Sequence, residues 1–172
     1  MPVAGAETLA ESNVENRVFL YFRVNQAELQ KWIPAPWQIG AIQAGPAKDA
    51  NILVVFVHLL LRQGPGGKPL TPTGTSRFVV LAVPAKHAQT GESRVFVIRG
   101  YASDHVTLPG AYKKNVKATV SREQTLKGEN LEQGVATELW EMRSDTGTMQ
   151  LRLAYQRGIP SRTKADRKLY SA

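Results

Sequence analysis

The sequence predicts an all-β domain with one or two short helices, and three observations favour this fold class. Apolar residues repeat with a period of two over most of the chain, and short links rich in glycine and proline separate these runs. Only one stretch carries the signals of a helix. About seven or eight strands with short links are typical of an antiparallel barrel or sandwich. Nothing marks a second domain, so we expect an N-terminal arm at 1–15 and a single domain at 16–172.

The first predicted element is a strand that begins at Asn16. Its side chains alternate between two faces because successive residues of a strand point in opposite directions. One face carries Val18, Leu20, Phe22 and Val24, and the other carries Arg17, Phe19, Tyr21 and Arg23.

A short helix follows the first strand. Asn25 is a favourable N-cap, and Glu28 lies three residues later, where the carboxylate of a capping box belongs. Pro34 and Pro36 then end the helix and favour an extended exit.

The remaining elements are strands. Residues 52–61 are apolar on both faces, which predicts a central strand covered on both sides. After the glycine- and proline-rich link 62–74, strands are expected at 77–83, 94–101 and 116–125. A hairpin joins 137–143 to 149–157 around the turn 144–147. In its second arm the residues of one face are apolar: Met149, Leu151, Leu153 and Tyr155.

Composition excludes several classes of protein. Hydrophobic residues make up 42% of the 172 residues, enough for a folded core. The chain has no cysteine, and its three histidines lack the spacing of metal ligands, so no cofactor is expected. No apolar run reaches the length of a membrane span, and no signal-like run opens the sequence. We therefore expect a cytoplasmic protein without membrane contact.

The net charge of +8 raises the question of nucleic-acid binding. The positive charge is spread along the chain. Its densest part, 157–172, carries no helix-turn-helix, RNP-like or zinc-finger pattern, so a solvated basic tail is favoured over a nucleic-acid arm. The same charge suits small anionic ligands such as carboxylates.

Residues 16–39 resemble the opening segment of the acetoacetate decarboxylase-like family. In that family an Asn-Arg pair opens the first strand, and a short helix of the form ALxKxxPxPL leads into the barrel wall. The corresponding residues are Asn16, Arg17, Ala27, Leu29, Lys31, Pro34, Pro36 and Trp37. The resemblance implies a closed antiparallel β-barrel with a small-molecule ligand in its cavity, and a homo-oligomer.

The resemblance also implies a lysine nucleophile, which the family carries in a run similar to Tyr-Pro-Lys-Lys. Here the run is Tyr112-Lys113-Lys114, without the proline, and its alignment needs an insertion after Arg99. A Schiff base requires a neutral amine, although the pKa of free lysine is about 10.4. Burial or a nearby cation lowers that pKa, and acetoacetate decarboxylase is a known example. Lys113 and Lys114 are thus the catalytic candidates, with exposed loop lysines as the alternative.

Five further residues are candidates for substrate binding. Arg17 and Arg99 could each bind a carboxylate through two hydrogen bonds. Tyr101 and Tyr112 could donate a hydrogen bond to a ligand oxygen, or lie at the rim of the site. His58 is the single polar residue in 52–61, and it could contact the ligand or be a hydrogen-bonded core residue.

Two functions remain open at this point. The first is a decarboxylase-like carbon–carbon lyase that forms a Schiff base with a small keto acid, and the Tyr-Lys-Lys run favours it. The second is a non-catalytic barrel that binds a small apolar or acidic ligand. The family places glutamates in the strand matching 52–61 and in the link after it. Neither segment has a carboxylate here, which favours the second function.

Overall fold

The structure, a computed structural model, describes residues 11–70, 75–103, 110–112, 115–128, 134–158 and 169–171. These residues confirm the all-β prediction. The one α-helix among them, α1, spans Gln26–Gln30, and no helix of the described part is long and apolar enough to cross a membrane. The strands are β1 Ser12–Phe22, β2 Trp37–Ile39, β3 Ile52–Gln63, β4 Ser76–His87, β5 Ser93–Ala102, β6 Asn115–Lys117, β7 Thr119–Lys127, β8 Val135–Ser144, β9 Gly147–Gln156 and β10 Leu169–Ser171.

The strands form two sheets. Sheet A has seven strands in the order β1-β3-β4-β5-β10, with β2 paired to β4 and β6 paired to β5. Sheet B is the antiparallel meander β7-β8-β9. Neither sheet closes on itself within the described residues, which corrects the prediction of a closed barrel. Closure would require β1 to pair on both sides, and in this part of the chain β1 pairs with β3 alone.

The two faces of sheet A differ in what covers them. On the first, named the curved face, Leu53, Val55, Val57 and Leu59 of β3 form a buried cluster with β4 and β5. On the second, named the packed face, Val54 and Phe56 pack against Trp140 of sheet B. Both faces of β3 are thus buried, as its continuous apolar run predicted.

Helix α1 covers one end of the packed face. Leu29 and the following Ile33 are buried against Val83 and Phe96. The predicted N-cap is confirmed, because the side chain of Asn25 accepts hydrogen bonds from the backbone of Ala27 (2.9 Å) and Glu28 (3.2 Å).

Two local predictions need correction. The Glu28 carboxylate accepts a hydrogen bond of 2.8 Å from Lys31 instead of turning back to the N-cap. The first strand begins at Ser12, four residues before the predicted Asn16, and a bulge between Val14 and Glu15 interrupts its pairing with β3. The second point places Glu15, which was expected in the arm, within the sheet.

Candidate functional site

A stripe of charged and aromatic side chains runs along β1 on the curved face. Glu15, Arg17, Phe19 and Tyr21 pair with Leu59, Val57, Val55 and Leu53 of β3. Directly paired residues of neighbouring strands point to the same face, and these β3 residues belong to the buried cluster of the curved face. The stripe therefore combines an ion pair at one end with two aromatic rings at the other.

Arg17, Glu15 and Tyr112 lie together on the curved face. The guanidinium Nη2 of Arg17 lies 2.5 Å from Oε1 of Glu15. Burial against Phe78 raises the pKa of the Tyr112 hydroxyl, and the charge of Glu15 adds to this, although Arg17 opposes both through its own charge and a hydrogen bond. Tyr112 consequently stays a protonated phenol at neutral pH, next to the ion pair.

Two of the predicted site residues are thus brought together, Arg17 and Tyr112. The predicted nucleophiles, Lys113 and Lys114, lie outside the described residues. Tyr112, at the end of the 3-10 turn Gly110–Tyr112, immediately precedes them in the chain.

Arg99 and Tyr101 lie on the packed face, opposite to Arg17. They pair with Leu81 and Val79, both of which pack toward sheet B. The Arg99 guanidinium lies 5.8 Å from the centre of the Tyr101 ring. Burial acts to raise the pKa of Tyr101, but hydrogen bonds with Thr146 and Arg99 outweigh it and lower the pKa. The structure therefore divides the predicted arginines between two faces of one sheet.

His58 also lies on the packed face, where it contacts Arg122 of β7. Nη1 of Arg122 lies 3.3 Å from Nδ1 of His58, and since arginine can only donate, Nδ1 accepts and the ring proton lies on Nε2. Burial, followed by the positive charges of Arg77 and Arg122, lowers the pKa of His58, while Glu138 opposes this. His58 is therefore a half-buried residue that is neutral at neutral pH and hydrogen-bonded through Nδ1.

Glu138 of β8 is the centre of a buried polar network that the sequence predictions missed. Its side chain is 2% exposed. The carboxylate accepts two hydrogen bonds from Arg122 (2.8 and 3.0 Å) and one each from Gln124 (2.9 Å), Trp140 (2.9 Å) and Tyr155 (2.5 Å). Burial favours the protonated form, but these donors prevail and lower the pKa of Glu138.

A signal for Glu138 exists in the sequence. In the strand VATELWEMRS the residues of one face are Ala136, Glu138, Trp140 and Met142, so a carboxylate stands within an apolar alternation. Such a residue needs a buried cation, and Arg122 is the partner that the pairing of β7 with β8 provides.

Two open cavities border these groups. The larger, about 1080 Å³, lies over the curved face and is lined by β1, β3, β4, β5 and the loop 40–47. Because β1 and β5 line one cavity although β3 and β4 separate them, sheet A curves around it. The smaller, about 580 Å³, lies between β1 and sheet B and is lined by residues that include Arg17, Glu138 and Tyr155.

Comparison with solved structures identifies the fold. The enduracididine biosynthesis enzyme MppR in complex with pyruvate is 10% identical, with a TM-score of 0.62, over 98% of this chain and 65% of that one. An acetoacetate decarboxylase-like enzyme from Sphingomonas wittichii RW1 is 13% identical, with a TM-score of 0.61, over 91% and 62%. Acetoacetate decarboxylase from Legionella pneumophila is 12% identical, with a TM-score of 0.52, over 90% and 55%.

The chain therefore has the acetoacetate decarboxylase-like fold, as the opening segment predicted. It spans about two thirds or less of the length of these structures. No family model matches the sequence, and no curated protein does. At these identities the likeness establishes the fold, and the activity has to be argued from the site.

Proposed function

We propose that the chain is a carbon–carbon lyase that forms a Schiff base with a small keto acid through Lys113 or Lys114. The observation that carries this proposal is the group Glu15–Arg17–Tyr112 on the curved face. The group combines a guanidinium that can bind a carboxylate with a phenol that can donate a hydrogen bond. The phenol belongs to Tyr112, the residue directly before Lys113 in the sequence. One of the similar structures, MppR, holds pyruvate, which is consistent with a keto acid.

Each residue has a defined role in the proposed reaction. The neutral lysine amine adds to the substrate carbonyl, and loss of water gives a protonated imine. For a β-keto acid, the carbon–carbon bond to the carboxylate then breaks, carbon dioxide leaves, and the bonding electrons enter the imine as an enamine. A proton returns to carbon, and water releases the ketone and the amine.

Arg17 would bind the substrate carboxylate. Glu15 engages Nη2, and the planar guanidinium has further N–H groups for a second acceptor. Its positive charge would also lower the pKa of an amine brought near it, because a like charge disfavours the ammonium form. Tyr112 would donate a hydrogen bond to the carbonyl oxygen as it becomes a hydroxyl.

A second candidate is a barrel that binds a small apolar or acidic ligand without forming an imine. The observation in its favour is strand β3, Ile52–Gln63, which contains no carboxylate. In either case we expect a homo-oligomer, which light scattering would test.

Borohydride trapping distinguishes the two candidates. The protein is incubated with acetoacetate or pyruvate, reduced, and examined by intact mass and peptide mapping. We expect one adduct per chain, and one of the two variants Lys113→Arg and Lys114→Arg should lose it. The control is Lys117→Arg, at the exposed position of β6, which should retain the adduct. Arg17→Gln should raise the keto-acid concentration needed for half-maximal trapping. Absence of an adduct in folded protein, or an adduct at another lysine, would contradict the imine mechanism.

A further inference from the structure

The cavity over the curved face is larger than a small keto acid requires. Its volume is about 1080 Å³. Pockets of roughly 300–1,000 Å³ enclose ligands of drug size, whereas acetoacetate and pyruvate are far smaller than such ligands. Acetoacetate or pyruvate would therefore leave most of this volume unfilled.

The walls of this cavity are mainly apolar. Phe19 and Tyr21 stack with their ring centres 6.4 Å apart and nearly parallel, and they remain 41% and 38% exposed. Leu53 lies beside them on β3, and Pro84 and Val95 line the cavity from β4 and β5. Aromatic and aliphatic walls of this kind gain free energy when an apolar group covers them.

The proposed reaction site adjoins the cavity along β1, because Arg17 lies two residues before Phe19, which lines the cavity. Arg17, Phe19 and Tyr21 point to the same face, and alternate residues of a strand are about 6.5–7 Å apart. A ligand whose carboxylate meets Arg17 can thus extend over Phe19 and reach Tyr21, about 13–14 Å away.

Backbone hydrogen bonds hold the outer wall of the cavity in place. The loop 40–47 is fixed to the sheet by the backbone hydrogen bond from Gly40 to Pro84 (2.8 Å) and to its own base by that from Ile42 to Ala50 (2.9 Å). Its side chains at the cavity include small residues such as Ala41 and Ala44. Small side chains leave room for a substrate beside the two rings.

We propose that the substrate is a keto acid carrying an aromatic or extended acyl substituent, which occupies the cavity beside Phe19 and Tyr21. This inference rests on the proposed Schiff-base function and specifies its substrate class. The carboxylate would bind at Arg17, the carbonyl carbon would meet the lysine, and the substituent would lie along β1. The bonds that form and break are those of the general reaction, because the substituent takes no part in it.

A series of 3-oxo acids tests the inference by borohydride trapping. The series comprises acetoacetate, 3-oxohexanoate, 3-oxooctanoate and benzoylacetate, each titrated to its half-maximal concentration for adduct formation. We expect that concentration to fall by up to about fourfold for each methylene buried. Benzoylacetate should be preferred over acetoacetate by at least about tenfold, since a buried ring covers more apolar surface than several methylenes.

Adjacent residues of β1 supply a matched pair of variants. Tyr21→Ala removes a ring from the cavity, whereas Phe22→Ala removes a somewhat more exposed ring that points to the opposite face. Tyr21→Ala should reduce the preference for long or aromatic acids over acetoacetate. Phe22→Ala should leave that preference unchanged, and Ala44→Trp, which fills the cavity, should abolish it.

The possible results separate the two proposals. Equal trapping of all four acids by the wild-type chain would overturn the substrate class and leave the imine mechanism intact. Trapping of none of them would overturn both. A preference that persists unchanged in Tyr21→Ala and Ala44→Trp would show that the substituent binds elsewhere, and would also overturn the inference.

Discussion

Glu138 is a buried carboxylate whose cost of burial is offset by an unusually complete set of donors. Side chains from three strands of sheet B and the neutral His58 of sheet A meet in its network. Removing one member of a buried ion pair is strongly destabilising, because the remaining charge is left without compensation. Arg122, whose side chain is 7% exposed, would be left in that state.

We therefore predict that Glu138→Ala lowers the free energy of unfolding by about 3–5 kcal/mol. The control is Glu141→Ala in the same strand, where the carboxylate is 28% exposed and its partner Arg143 is 67% exposed. An exposed pair of this kind contributes up to about 1 kcal/mol. Urea unfolding of both variants measures the difference, and equal losses would mean that the network contributes no more than a surface pair.

The same network predicts that the stability of the folded state depends on pH in two separate ranges. The pKa of His58 is lowered in the folded state, so the unfolded chain binds more protons and stability falls as the pH drops below 6.5. The pKa of Glu138 is also lowered, so its contribution is present above about 4.5 and is lost as the pH falls through the folded value.

His58→Gln should remove the first decline and keep the second. The measurement is the urea midpoint of wild type and variant between pH 8 and about pH 3, a range that includes both ordinary pKa values and extends below that of Glu138. A wild-type midpoint that is flat from pH 7 to pH 5, or a variant with the same slope as wild type there, would exclude the role of His58.

Single residues divide into those that the sequence identifies and those that it does not. Arg17 and Tyr112 were predicted from the family resemblance, and they meet on the curved face. Glu15 was missed because the bulge after Val14, which decides its face, has no signature in the sequence. Glu138 interrupts an apolar alternation, but its role was missed because its partner Arg122 reaches it only through the pairing of β7 with β8.

Among the elements, helix α1 depends on its cap. A helix of five residues is too short to be stable alone, so the hydrogen bonds from Ala27 and Glu28 to the Asn25 side chain matter more than they would in a long helix. Helix α1 also holds β2, because the Gln30 amide donates to Trp37 (3.0 Å) and accepts from Ile39 (2.9 Å).

Asn25→Ala should lower the free energy of unfolding by about 1 kcal/mol, within the range of 0.5–2 kcal/mol that lost caps show. Asn25→Asp keeps an acceptor at the cap and should cost far less. Thermal unfolding of the two variants, followed by circular dichroism, gives the comparison. A loss in Asn25→Asp as large as that in Asn25→Ala would mean that the cap oxygen is not the cause.

The strands show which boundaries the hydrophobic periodicity of the sequence predicts correctly and which it does not. The central strand and the β8–β9 hairpin were predicted to within two residues at each end. The predicted strand 77–83 is shorter than β4, which continues through Pro84 to His87. Pro84 lies beyond the last residue of β4 that pairs with β3, so its missing N–H removes no hydrogen bond from that ladder. The predicted strand 116–125 is divided in two, since β6 pairs with sheet A and β7 with sheet B.

At the scale of the whole molecule, one contact region joins the two sheets. Trp140 of sheet B is fully buried, and its ring centre lies 5.5 Å from that of Phe56 in sheet A. Its indole also donates to Glu138, so the apolar core and the polar network meet at one side chain. No sequence pattern predicts this region, because it arises from two strands more than eighty residues apart in the chain.

We predict that the two sheets unfold as one cooperative unit, and Trp140→Phe tests this. The substitution removes the indole donor in sheet B, and loss of such a buried hydrogen bond costs about 1–3 kcal/mol. Trp32 and Trp37 remain as fluorescent probes, and Trp37, which packs against Phe96, reports on sheet A. The midpoint of urea unfolding should fall equally by tryptophan fluorescence and by far-ultraviolet circular dichroism, since coincident transitions define two-state behaviour. If the urea midpoint of the variant stayed at the wild-type value by fluorescence but fell by circular dichroism, sheet A would be stable without sheet B.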